Sequence, residues 1–172
     1  GDVYKRQLLI LEMSRNVTVL HKTWVDDYYK AKLKVKKSTL NGKTLGLIGC
    51  GNIGSRVAKR ALGFEMNVMA YDPYKPACDF PEGVEVVRDL DRIFKECDYV
   101  SLHCPNTPVT KNMVNKERLA MMKPTAFLIN TARGGCVDET ALYEACRDGI
   151  IAGAGLDAIQ KEPVDPKNPL LT

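Results

Sequence analysis

Gly49, Gly51 and Gly54 stand in the spacing G-x-G-x-x-G, and an acid, Asp72, follows eighteen residues after the last of them. In a strand-turn-helix each glycine has its own task. Gly49 allows a sharp bend, Gly51 carries no side chain to hold a pyrophosphate away, and Gly54 lets the new helix pack closely on the strand. Asn52 and Ile53 add backbone at the helix N-terminus, where unpaired N–H groups and a partial positive charge attract an anion. Asp72 sits close to the spacing at which a carboxylate meets the adenosine ribose. It favours NAD over NADP, because a 2′-phosphate would bring like charges together at a cost of roughly several kcal/mol.

Alone, the glycine spacing also fits any tight strand-to-helix connection. Its neighbours decide the matter: the apolar run 45–48 precedes it, Ile53, Val57 and Ala61 recur every fourth residue after it, and a second apolar run, 67–71, leads into Asp72. From Lys43 onward, strand and helix patterns alternate. Strands are predicted near 45–48, 68–71, 84–87, 99–102, 126–129 and 151–156, several as continuous apolar runs, as befits strands covered on both faces. Helices are predicted near 53–62, 90–97, 116–122 and 139–148, the last capped by Asp138 and ended by Gly149. Such alternation specifies an α/β fold, a doubly wound parallel sheet of the Rossmann type. Ligands of such sheets lie outside the carboxyl ends of the strands, so the stretches 49–54, 103–110, 130–135 and 157–162 with Asp72 are the expected site.

Composition sets the outer limits. At 172 residues, 45% hydrophobic and 27% charged, the chain can bury one good core. A net charge of +4 is mild, and the clustered Lys30, Lys32, Lys34, Lys36 and Lys37 read as a solvated arm instead of a nucleic-acid patch. Six cysteines without a C-x-x-C pair read as reduced thiols of a cytoplasmic protein. No membrane span, nucleic acid or metal is expected.

Before Lys43 the pattern is different. Residues 1–7 fit no element and are expected to be foreign to the protein. Residues 8–17 are helical and apolar on nearly all sides, so the helix expects protein on more than one face, from another domain or a second subunit. Residues 19–37 have no clear period, and either an extended arm on a partner or a disordered linker fits them. The domain boundaries predicted are a linker helix and dimerisation arm over 1–38, an NAD-binding domain over 39–158, and the start of a return to a substrate domain over 159–172.

Several motifs together resemble the NAD-dependent D-isomer-specific 2-hydroxyacid dehydrogenases, which include D-3-phosphoglycerate dehydrogenase. They are the glycine turn with residues 40–46 before it, Tyr71-Asp72-Pro73, Ser101-Leu102-His103-Cys104-Pro105, Met122-Lys123-Pro124, the run 128–135 ending Asn130-Thr131-Ala132-Arg133-Gly134-Gly135, and Gly155-Leu156-Asp157 with Glu162-Pro163 beyond. The resemblance implies hydride transfer between NAD and a small 2-hydroxy or 2-oxo acid, in a homodimer. It implies that Arg133 is a buried arginine holding the substrate carboxylate and carbonyl, for which a guanidinium is suited by its two parallel hydrogen bonds. Glycines beside it are expected to leave room for a ligand. Glu162 matches the carboxylate that supports a catalytic histidine. Asp157 matches a position near the nicotinamide amide, and Cys104, Pro105, Thr110, Thr131 and Ala132 match positions lining the cofactor.

The family's proton-donating histidine has no match here. His103 belongs to the cofactor wall and His21 to the arm, so neither is assigned as catalytic, and the chain reads as truncated at both ends. Two rivals stay open: a formate-type donor lacking a 2-hydroxyl, against which Glu162 leans, and an NAD-sensing corepressor of the same fold.

Overall fold

Each of the six predicted apolar runs is a strand in the computed structural model, which describes residues 2–26 and 38–171. They are β1 (Thr44–Ile48), β2 (Asn67–Tyr71), β3 (Val84–Val87), β4 (Tyr99–Leu102), β5 (Phe127–Asn130) and β6 (Gly153–Leu156). All pair in parallel, in the order β3-β2-β1-β4-β5-β6. The order reverses between β1 and β4, and at that switch point the loops after adjacent strands diverge to leave a crevice.

Parallel strands need helical crossovers, and the chain supplies them: α3 (Asn52–Gly63) after β1, α4 (Leu90–Glu96) after β3, α5 (Lys116–Met121) after β4 and α6 (Glu139–Arg147) after β5. Side chains alternate across the sheet. Leu45, Leu47, Val68 and Ala70 join Val57, Ala58 and Ala61 of α3 in one core, while Ile48 and Met69 join Phe94, Leu119 and Leu142 in the other. Caps follow the sequence. Asp89, Asn115 and Asp138 accept from the first turns of α4, α5 and α6, and Gly149, at φ +69°, follows the end of α6.

The N-terminal region departs from expectation twice. Residues 2–7, expected to fit no element, are the first turns of α1 (Asp2–Arg15). Residues 19–26, read as the start of an aperiodic arm, belong to α2 (Val17–Asp26), in which Val17, Leu20 and Trp24 share a face that the interleaved Thr, His and Lys disguise. Asn16, at φ +50°, breaks the run between the two helices. The remaining arm, with its lysine run, lies outside the described residues. Helix α1 buries Ile10 against the α3 side of the sheet, and its Met13 and Leu9 press so closely on Gly155 that a Cβ there would collide. Its other face is bare: Leu8 is 66% exposed and Leu11 38%.

Candidate cofactor site

The glycine turn closes on itself through the backbone. Gly49 has φ +95° and donates its N–H to Tyr71 O over 2.8 Å; a Cβ on it would stand 2.9 Å from His103 O. A Cβ on Gly54 would run into Gly49 O, whereas one on Gly51 would meet nothing within 4 Å. The three glycines therefore do the three jobs their spacing predicts: bend, open face and close packing. Gly51 caps α3 with no side-chain hydrogen bond, so the first-turn N–H groups around Asn52 and Ile53 lack a side-chain cap, and a helix start of this kind suits an anion.

Asp72, half-buried, is fixed by the backbone on both sides. Its Oδ2 accepts from Cys50 N at 2.9 Å and its Oδ1 from Tyr74 N at 3.1 Å. Lys75, which sequence reasoning missed, grips the same residue of the glycine turn: its Nζ donates to Cys50 O at 2.7 Å and to Ser55 Oγ at 3.2 Å. One peptide unit on either side of Cys50 is thus held by an acid and a base from the loop after β2.

The loop after β4 makes the next wall. Cys104 is half-buried, Pro105 is exposed, and Thr110 Oγ1 donates to Pro105 O at 2.6 Å. Both ring nitrogens of His103 are buried without a partner. Burial, helped by the charge of Arg6, pushes the imidazole from its ordinary 6.5 down to about 3. A neutral, enclosed ring agrees with a wall position. It also has a consequence for stability. The folded pKa lies below the unfolded one, so the unfolded chain takes up a proton that the folded chain refuses as pH falls from 6.5 towards 3. Stability should drop by about 1.4 kcal/mol per pH unit between pH 6 and 4.5, above the range where most carboxylates titrate. Urea unfolding across that window measures it; His103→Gln should flatten the slope, and a flat profile in the unaltered chain would contradict the assignment.

After β5, the buried Asn130 shapes the turn: its Oδ1 accepts from Ala132 N and its Nδ2 donates to Arg133 O, each at 3.0 Å. Thr131 Oγ1 is buried without a partner. Arg133 itself is exposed and donates from Nη1 to Ala132 O at 2.7 Å; the burial implied by resemblance is not seen, because nothing described packs over the guanidinium. The neighbouring glycines also do something other than expected. A Cβ on Gly134 would strike the backbone of Ile159 and one on Gly135 the amide of Asn106. They make room for the chain's own loops.

Thr131, Ala132, Arg133, Asp157 and Glu162 line one hollow of about 540 Å³ at the carboxyl edge. Asp157 is exposed and ion-paired with Lys5 at 2.8 Å, a contact worth little at the surface. Glu162 is exposed and has no hydrogen-bond partner among the described residues. A larger hollow of about 880 Å³ lies between α1, α6 and the C-terminal turn, and of the predicted site residues only Asp157 reaches it. The residues at the carboxyl edge fit a dinucleotide: an uncapped helix start beside a glycine with an open face, a carboxylate already oriented, and an orphaned threonine hydroxyl. When bound, NAD would supply or accept the hydride there.

Residues 8–172 match the family described as D-isomer specific 2-hydroxyacid dehydrogenase, NAD binding domain. Over 132 residues the chain is 54% identical to the hydroxypyruvate reductase of Thermotoga maritima, covering 77% of this chain and 42% of that one. Over 142 residues it is 49% identical to the D-3-phosphoglycerate dehydrogenase of Methanocaldococcus jannaschii, covering 81% and 26%. The chain thus spans less than half the length of these two relatives. Among solved structures, the D-isomer specific 2-hydroxyacid dehydrogenase of Lactobacillus delbrueckii ssp. bulgaricus in its NAD-complexed form superposes with a TM-score of 0.82 at 36% identity, over 91% of this chain and 48% of that one. The glycine turn, the parallel sheet and these likenesses agree: the chain belongs to the D-isomer specific 2-hydroxyacid dehydrogenases and carries their NAD-binding domain.

Proposed function

We propose that this chain is the cofactor-holding part of an oxidoreductase that moves a hydride between NAD and C2 of a small D-2-hydroxy or 2-oxo acid. The observation that carries the reading is the shared hollow: Arg133, Asp157 and Glu162 line one wall at the same sheet edge as the glycine turn and Asp72. Arg133 would hold the substrate carboxylate and polarise its carbonyl. Glu162 would orient a histidine that gives or takes the hydroxyl proton, and Asp157 would meet the carboxamide end of the cofactor. Thr131, Ala132, Cys104, Pro105 and Thr110 would line its path.

The reading includes a second copy of the chain. Leu8 and Leu11 on α1, and Val17, Val19, Trp24 and Val25 on α2, stay more than a third exposed, apolar surface suited to a homodimer contact. It places the protein in the cytoplasm, where six unpaired thiols are at home. No described helix is long and apolar enough to cross a membrane.

The whole protein containing this chain, assayed with 2-oxo acids, should oxidise NADH in preference to NADPH by at least about tenfold, and Asp72→Ser should narrow that ratio. Equal use of both cofactors, or no reduction of any 2-oxo acid, would overturn the reading.

A further inference from the structure

Two of the six cysteines face each other across the cofactor wall. Cys104 Sγ and Cys136 Sγ lie 4.0 Å apart, and Cys136 Sγ is also 3.8 Å from Pro105 O. Cys104 follows β4; Cys136 closes the short turn Gly134–Cys136 directly after Arg133. Cys136 is fully buried, whereas Cys104 is only half-buried at the edge of the cleft. The other four sit apart among the described residues: Cys50 beside the Ser55 hydroxyl, Cys97 beside Met69 Sδ, Cys78 exposed and Cys146 half-buried. The pair has a place in the fold that none of the others shares.

We propose that Cys104 and Cys136 form an oxidative modification site, at which a hydroperoxide joins them as a disulfide and thereby weakens NADH binding.

The two sulfurs are unequal. A thiolate on Cys136 accepts from the Cys104 S–H, with the Arg133 charge helping against burial, and its pKa is drawn down to about 7. Cys104, whose proton is the shared one, is pushed up. Cys136 is therefore the more acidic member of the pair. Cys104, the member of the pair that solvent reaches, passes its proton to the Cys136 thiolate and attacks one oxygen of hydrogen peroxide; the O–O bond breaks, hydroxide leaves and is protonated to water, and Cys104 becomes a sulfenic acid. Cys136 then attacks the sulfenic sulfur, its proton going with the departing oxygen as a second water. Two thiols are oxidised by two electrons, and one peroxide is reduced to two waters.

Bond formation requires the sulfurs to close from 4.0 Å to about 2.05 Å, so the side chains must rotate and their loops must follow. One loop carries Pro105 and Thr110, and begins at His103, whose carbonyl oxygen stands 2.9 Å from where a Cβ on Gly49 would lie. The other carries Thr131 to Arg133. The bond would tie these two walls of the proposed cofactor path together. The effect on NADH rests on the cofactor reading above, whereas formation of the bond does not.

The test treats the reduced 172-residue chain with a few equivalents of hydrogen peroxide. Expected are the loss of two of its six thiols, a mass lower by about 2 Da, and a Cys104–Cys136 cross-linked peptide. Cys104→Ser and Cys136→Ser should each abolish the loss of mass, with each variant compared with its own untreated form. NADH affinity should fall on the order of tenfold on oxidation, as misplacement of about 1 Å readily costs that much, and dithiothreitol should restore it. Linkage also requires saturating NADH to make the disulfide easier to reduce at equilibrium. Oxidation confined to Cys78 with the pair intact would overturn the proposal. So would a Cys104–Cys136 disulfide that leaves NADH affinity unchanged. A reduced chain that binds no NADH at all would sink the cofactor reading instead, while the cross-linked peptide still decides whether the site exists.

Discussion

The 172-residue chain is expected to hold NADH and yet leave 2-oxo acids unreduced. Its contribution to binding comes from strand ends within one sheet: the glycine turn, Asp72, the loop after β4 and the Thr131–Ala132 turn. What the described residues lack is an acid for the developing alkoxide. His103 is neutral, enclosed and without a partner at either nitrogen, and His21 on α2 does not line the hollow. General acid help is typically worth about 10²–10⁴-fold, and positioning of two reactants can supply roughly 7–11 kcal/mol. Without both, turnover should fall below detection even though Arg133 and Glu162 are present. NADH fluorescence should saturate on titration, and later addition of hydroxypyruvate, glyoxylate or phosphohydroxypyruvate should cause no loss of NADH absorbance. Steady oxidation abolished by Arg133→Ala would contradict this and return His103 to consideration as the proton donor.

Gly54→Ala should break the glycine turn from within. Its Cβ would meet the Gly49 carbonyl oxygen, and the Gly49 carbonyl carbon at 3.3 Å, with His103 Cγ at 3.7 Å behind. That is backbone against backbone, so no side chain can swing aside; the turn must move relative to α3. A stability loss of about 1–3 kcal/mol is expected from overpacking of this kind, with NADH affinity lower on the order of 100-fold because the N–H cradle is displaced. Gly51→Ala separates the two effects. Nothing lies within 4 Å of its Cβ, so urea stability should be unchanged while NADH binding weakens. A Gly51→Ala chain that binds as well as the unaltered one would show that the open face is not where the pyrophosphate lies.

Legibility in the sequence followed the range of the interactions. The glycine turn, Asp72 and the six strands were readable because each depends on spacing within one strand-turn-helix or one apolar run. Strand ends moved by only a residue or two: β5 begins at Phe127, not Ala126, and β6 at Gly153, not Ile151. Lys75 was not readable, since its value lies in reaching back to a carbonyl 25 positions away. Arg133 and its glycines were misjudged for a similar reason. The chain that fills the space beside Gly134 is Ile159, on a loop that follows a different strand. In α2, polar residues interleaved with Val17, Leu20 and Trp24 hid a helix that only the fold reveals.

Amide chemical shifts of the isotopically labelled chain, followed while NAD is added, test the central claim most directly. The account predicts saturable shifts confined to the carboxyl edge of the sheet: Cys50 to Ile53 at the start of α3, Asp72 to Lys75, the loop from His103 to Thr110, and Thr131 with Ala132. Shifts centred instead on the opposite edge, at Thr44, Asn67, Tyr99 and Phe127, or no saturable shift at all, would contradict it.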